Sequence, residues 1–241
     1  MNDQLRFADS GEAADLAAFL GRLVHYDRAA AVRLQAGGGA LAVFGRPPSF
    51  DILAIRTVRL AAPVAMPLDL TVSAGELLES VDEASAEATV PGPVTGPPWA
   101  GVLPPRGGWR QVPGLPGPEA MGAAVAAAVA EFRARDEALP AQHRTRSERD
   151  RIGREIWSRT LGDTELPLRA VHAAQSLGFL RPVRAAVPAA AAAPLPGAPA
   201  SAPVALLAAG TWLRLRTPYG SVAMRRPGGT GGLGALQVRP V

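Results

Sequence analysis

Two groups of arginines are the residues best placed to do chemistry. Arg144, Arg146, Arg149, Arg151, Arg154 and Arg159 crowd one stretch. Arg214, Arg216, Arg225 and Arg226 flank a turn near the C-terminus, with Arg169, Arg181 and Arg184 in between. Guanidinium is planar, permanently charged and shaped to grip phosphate or carboxylate with two parallel hydrogen bonds. Positive charge that neutralises phosphates supplies most sequence-independent affinity for nucleic acid. In Trp212-Leu-Arg-Leu-Arg216, strand alternation places Trp212, Arg214 and Arg216 on one face and Leu213 and Leu215 on the other. An indole beside guanidiniums can stack on a base while the cations clamp the backbone. The candidate nucleic-acid-binding set is therefore Arg144, Arg146, Arg149, Arg181, Arg184, Trp212, Arg214, Arg216, Arg225 and Arg226. Arg225 joins the Trp212 face only if the hairpin register allows it.

Part of this charge has an internal explanation. Asp150 with Arg154 and Glu155 with Arg159 are acid-before-base pairs at i,i+4, the favourable helical order, and Glu148 with Arg151 is an i,i+3 pair. Composition offers a second explanation. All 25 basic residues are arginine, and arginine, alanine, glycine and proline share GC-rich codons, so genome composition can account for the absence of lysine.

Other chemistries lack their residues. Without cysteine there is no disulfide framework, thiolate nucleophile or cysteine zinc site. Without lysine there is neither a Walker-type phosphate loop nor a Schiff base. His25, His143 and His172 lie in different elements with no metal-binding spacing. The carboxylates Glu79, Asp82 and Glu83 fall on the expected solvated face of a helix over 73–85, with nothing to split their pKa values. Gly37-Gly38-Gly39 reads as a hairpin turn rather than an anion cradle. The expectation is a non-enzymatic protein with no cofactor and no metal.

Charge is unevenly distributed. Residues 1–140 hold 11 arginines and 16 acids, a net of −5; residues 141–241 hold 14 arginines and 5 acids, a net of +9; the chain as a whole is +4. Such asymmetry points to an anionic partner for the basic half. That partner is nucleic acid, or alternatively an acidic protein or a second copy of the chain, in which case the protein is an interaction or scaffold module. The N-terminus lacks a basic stretch followed by an apolar core, so no signal peptide is expected. The apolar run 185–209 is broken by five prolines and does not suit a membrane span. The expected location is cytoplasmic.

The elements that must position these residues follow from periodicity. Leu16, Phe19, Leu20 and Leu23 form one stripe of a helix over 11–25. Strands are expected at 31–36, 40–44 and 50–60, with a short edge strand at 69–72. Ser73 and Glu76 fit a capping box opening the helix at 73–85. Residues 91–118, with nine prolines and seven glycines, have linker composition. They also carry Trp99 and Trp109, so part of the segment should lie ordered and extended across a surface. Its polyproline-like stretches also suit a proline-reading groove. Helices are expected from Pro118, over 145–161 behind Thr145 and Glu148, and over 165–177 up to Gly178. Residues 211–217 and 221–226 read as a hairpin around Pro218 and Gly220, and 227–235 as a loose tail.

The expected fold class is α+β: a small antiparallel sheet flanked by helices, then a helical basic region closed by a β-hairpin. The division is 1–90 (acidic α+β domain), 91–118 (Pro/Gly-rich linker), 119–184 (helical basic region), 185–209 (Ala/Pro-rich linker) and 210–241 (hairpin and tail). The hairpin could instead dock on the N-terminal sheet.

Two short resemblances accompany this reading. Residues 165–182, through Leu177-Gly-Phe-Leu-Arg181, resemble the end of a winged-helix recognition helix, which makes the 211–226 hairpin the wing. The pattern departs from that family because a helix-turn-helix needs a further helix between 161 and 165. Leu70 to Val81 resembles the strand-to-helix segment of DNA sliding clamps.

Overall fold

The computed structural model describes residues 4–48, 50–181 and 204–226. The fold is α+β with antiparallel sheets. Helix α1 (Ser10–Tyr26) opens at Asp9, whose carboxylate accepts from the Glu12 amide at 2.9 Å, and buries the expected stripe of Leu16, Phe19, Leu20 and Leu23. Strands β2 (Ala31–Gly37) and β3 (Ala40–Gly45) form a hairpin closed by Gly38 and Gly39. Gly38 at φ 60 supplies the left-handed position that a two-residue turn requires.

Strands β4 (Leu53–Arg59) and β5 (Leu68–Ser73) follow, and β5 is the outer strand beside β2. Helix α2 (Ala74–Ser80) is capped by Ser73 Oγ, which accepts from the Glu76 amide at 3.3 Å. It is shorter than the expected 73–85. Val81 turns extended into β6 (Val81–Asp82) to pair with β7 (Glu87–Thr89), which also pairs with β1 (Gln4–Arg6) in a small three-stranded sheet. Asp82 and Glu83 therefore do not sit on a helix. Asp82 accepts from the amides of Ala84 and Ser85, a local turn that competes successfully with the helix and draws its carboxyl below the usual range.

The second half adds β8 (Arg110–Val112), α3 (Pro118–Glu137), α4 (Arg146–Trp157), α5 (Leu168–Ser176), β9 (Ala205–Ala209), β10 (Trp212–Thr217) and β11 (Gly220–Arg225). The hairpin β10–β11 does dock on the N-terminal sheet: β11 pairs with β4, Ser221 opposite Ile55 and Ala223 opposite Leu53. One eight-stranded sheet results, in the order β5-β2-β3-β4-β11-β10-β9-β8. The hairpin has neighbours on both sides and is not a free wing. The described residues after α5, up to 181, form no strand either. Gly178 at φ 73 ends the helix, and Phe179 turns inward against Phe19, ring centroids 5.6 Å apart.

The expected linker 185–209 ends in β9, which is paired on both edges, so Leu206 and Leu207 belong to the sheet. The rest of that linker and the tail 227–235 lie outside the described residues.

The two faces of the sheet differ. One packs under α1, α3, α4 and α5 in the main core, where Val32, Leu34, Val58, Leu213, Leu215 and Val222 meet Leu20, Ile152, Ile156 and Phe179. The other carries Arg33, Gln35, Trp212, Arg214 and Arg216 around a smaller cluster of Phe44, Leu53, Ile55 and Ala223. No helix covers it. The proline-rich segment crosses instead: the Val94 amide donates to the Thr71 carbonyl at 2.9 Å, and Trp99 and Leu103 pack on the cluster. Proline suits such a strap because its fixed φ lowers the entropy cost of lying extended.

A buried arginine joins the two halves beneath the sheet. Arg56 of β4, 6% exposed, donates to Glu12 at 3.0 Å, to Asp15 at 3.2 Å and to the Tyr219 carbonyl in the β10–β11 turn at 2.7 Å.

Candidate anion-binding site

Register decides what the hairpin presents. Trp212 lies opposite Arg225, Arg214 opposite Ala223 and Arg216 opposite Ser221, while β9 sets Leu207 and Ala205 on the other side of the two arginines. Arg225 thus joins the Trp212 face, its guanidinium 4.8 Å from the indole centroid and donating to Thr211 Oγ1 at 3.0 Å. Trp212 packs on the smaller cluster, which fixes the indole.

Arg214 and Arg216 are half-buried, and the Nε of each is buried without a hydrogen-bond partner. Among the described residues neither has an acid within ion-pair distance. Their Cα atoms stand roughly 7 Å apart, as i and i+2 of one strand. Burial, then the neighbouring charge of Arg216, draws the Arg214 pKa below its ordinary value. Two like charges side by side with unmet donors form a site that an anion would relieve. Arg214 also reaches a cavity of 510 Å³ beside the strap, shared with Arg106, Asp69 and Thr57, and lies 5.8 Å from the ring of Trp109.

The other arginines of the candidate set are engaged elsewhere. Arg144 donates to the carbonyls of Glu137 and Leu139 at 3.0 and 3.5 Å. Arg149 pairs with Asp136 at 2.7 Å. Arg146, 96% exposed, stands 3.9 Å from Asp150, which takes the acid expected to serve Arg154. The i,i+3 and i,i+4 pairs Glu148–Arg151 and Glu155–Arg159 are present, at 2.8 and 3.6 Å. Between helices, Arg135 grips both oxygens of Glu155 at 2.8 Å, and Arg159 holds Glu131 at 2.8 Å. Hydrogen bonds from Arg135 hold the Glu155 carboxyl down at about 2. Arg181 pairs with Asp15 and lies 3.8 Å over the Tyr219 ring. Arg226 pairs with Glu165 at 2.6 Å. Arg184 lies outside the described residues. Arg144, Arg146 and Arg149 belong to the helical layer, on the opposite side of the sheet from Arg214 and Arg216.

A second cavity, of 340 Å³, opens where the sheet splays. The β4–β11 ladder ends at Leu53 and Ala223, but the β10–β11 ladder runs on to Trp212 and Arg225. The gap is lined by Trp99 and Trp212, by Ile52, Leu53, Val102 and Met224, and by Arg46, Asp51, Arg169 and Arg225. Arg46 pairs with Asp51 at 2.7 Å. Arg169, from α5, has a buried Nε without a partner and no acid among the described residues. The sequence signalled Trp99 only as an aromatic out of place in a linker, and Arg169 only as one arginine among many.

Among the described residues no cluster of three metal-ligating side chains occurs. His172 stacks on Trp157 at 4.5 Å and meets Phe50 edge-on at 5.3 Å, and burial draws its pKa down.

Residues 1–101 match the family described as Domain of unknown function (DUF8010), and residues 104–229 match Domain of unknown function (DUF8185). The chain belongs to the DUF8185 family. Its DUF8185 region carries α3, α4, α5 and the hairpin, and the boundary between the two matches falls within the strap, beside the 340 Å³ cavity. No curated protein and no solved structure matches the chain. Among the described residues no helix is long and apolar enough to cross a membrane.

Proposed function

We propose that the protein is a non-enzymatic, nucleic-acid-associated protein that holds a phosphate-bearing strand on the face of its β10–β11 hairpin. The observation that carries this reading is the adjacent pair Arg214 and Arg216, with buried Nε donors and no acid among the described residues, beside the indoles of Trp212 and Trp109. Unsatisfied buried donors are costly, and an anion arriving from outside would supply the acceptor that Arg214 and Arg216 lack. Nearby indoles favour a strand with unpaired bases, because base stacking on aromatics needs an exposed base face.

This reading centres the basic surface on the hairpin rather than on α4, where Glu131, Asp136, Glu148 and Glu155 already pair with Arg159, Arg149, Arg151 and Arg135. The test is fluorescence anisotropy of labelled single-stranded DNA, RNA and duplex DNA titrated with the full chain at two salt concentrations. Expected is single-strand binding that weakens with salt, with the slope counting phosphate contacts. Absence of binding at low salt refutes the proposal and favours an acidic protein partner.

A further inference from the structure

The cavity at the sheet splay combines features that specify a ligand class. Its volume, 340 Å³, lies in the range of small-molecule sites. Two indoles and several apolar side chains line it, which suits a planar ring. Three arginines against one aspartate give the lining an excess of positive charge, and Arg46 already uses that aspartate. Arg169 and Arg225 remain without an acid among the described residues, and Arg169 keeps a buried Nε with nothing to donate to. A neutral ring would leave Arg169 as it is, and a cation would be repelled. A planar ring carrying an anionic group meets both demands.

Resting on the nucleic-acid reading of the hairpin, we infer that this cavity takes one nucleoside monophosphate unit, its base against the indoles of Trp99 and Trp212 and its phosphate on Arg169 and Arg225. The unit has two sources: a free mononucleotide, or one unpaired nucleotide of a bound strand. Trp212 and Arg225 border both the cavity and the hairpin face, so a strand lying on Arg214 and Arg216 could reach it with one turned-in nucleotide.

The experiment follows tryptophan fluorescence of the full chain during titration with thymidine 5′-monophosphate, thymidine, inorganic phosphate, a short oligothymidylate and its abasic counterpart. The mononucleotide should quench the fluorescence, with thymidine and phosphate alone binding at least about tenfold more weakly, as loss of a charge-assisted contact requires. Arg169→Gln should weaken the mononucleotide by about tenfold and Arg216→Gln should leave it unchanged. If Arg169→Gln fails to fold, Arg225→Gln, at an exposed strand end, gives the same measurement. A strand that binds through Arg216 equally well with or without bases, and indifferently to Arg169, leaves the hairpin reading standing and overturns this inference. A mononucleotide that binds through Arg169 while no strand binds supports the cavity with the free nucleotide as its ligand, and overturns the hairpin reading. Failure of both ligands overturns both.

Discussion

Replacing Arg56 with methionine probes how the two halves of the chain are held together. The guanidinium is 6% exposed and bonded to Glu12, Asp15 and the Tyr219 carbonyl, three groups from two other elements. Removing one partner of a buried ion pair costs about 3–5 kcal/mol, because the remaining charge stays desolvated. Here Glu12 keeps Arg59 at 2.8 Å and Asp15 keeps Arg181, so the lower end, about 3 kcal/mol, applies. With a urea dependence of about 3 kcal/mol per molar, the unfolding midpoint should fall by about 1 M. Combining Arg56→Met with Glu12→Gln and Asp15→Asn should recover part of the loss, since Arg56→Met leaves two partly buried acids each short of one cation even though Arg59 and Arg181 remain. A loss below about 1 kcal/mol, or no recovery in the triple variant, would refute the view that this network stitches α1, β4 and the hairpin turn.

Three further outcomes are expected. A Cβ at Gly220 would stand 2.6 Å from the ring of buried Phe179, so Gly220→Ala should cost about 1–3 kcal/mol of overpacking, read as a lower Tm. Burial lowers the pKa of His172 in the fold, so the unfolded chain binds its proton more readily. Stability should therefore decline as pH falls below about 6.5 and level off under the folded pKa, and His172→Phe should flatten this slope in urea titrations across pH. Arg149→Gln breaks only a half-exposed pair with Asp136, so its cost should stay under about 1 kcal/mol by the same assay.

Local patterning carried much of the fold. The stripe of α1, the caps at Ser73 and Thr145, the turn at Gly38 and the position of the Pro218-Tyr219 turn are each set by a few neighbouring residues and lie where periodicity and turn chemistry place them, although Gly220 itself opens β11 at φ 159 instead of taking a left-handed turn position. What escaped depends on distant pairing. The helix after Ser73 is cut at Ser80 because Val81 gains a partner in β7, and β9 hides in an alanine-rich stretch whose strand character comes from pairing with β8 and β10.

The site divides in the same way. Strand alternation fixes Trp212, Arg214 and Arg216 on one face, a consequence of five consecutive residues. The neutralisation of α4 was half-visible as helical spacing. The pairs Arg149–Asp136, Arg135–Glu155 and Arg159–Glu131 exist only because α3 packs on α4. Arg169 and Trp99 meet across a cavity that arises where two ladders part, and no local pattern encodes that.

The most direct test of the central claim compares two double variants in single-strand anisotropy at low salt. Arg214→Gln with Arg216→Gln removes two charge-assisted contacts, and affinity should fall by about a hundredfold with a shallower salt dependence. Arg146→Gln with Arg149→Gln, in the helical layer, should leave affinity within a few-fold of the wild type. Equal losses in both variants, or retention of affinity in the hairpin variant, would contradict the assignment of the binding face to β10 and β11.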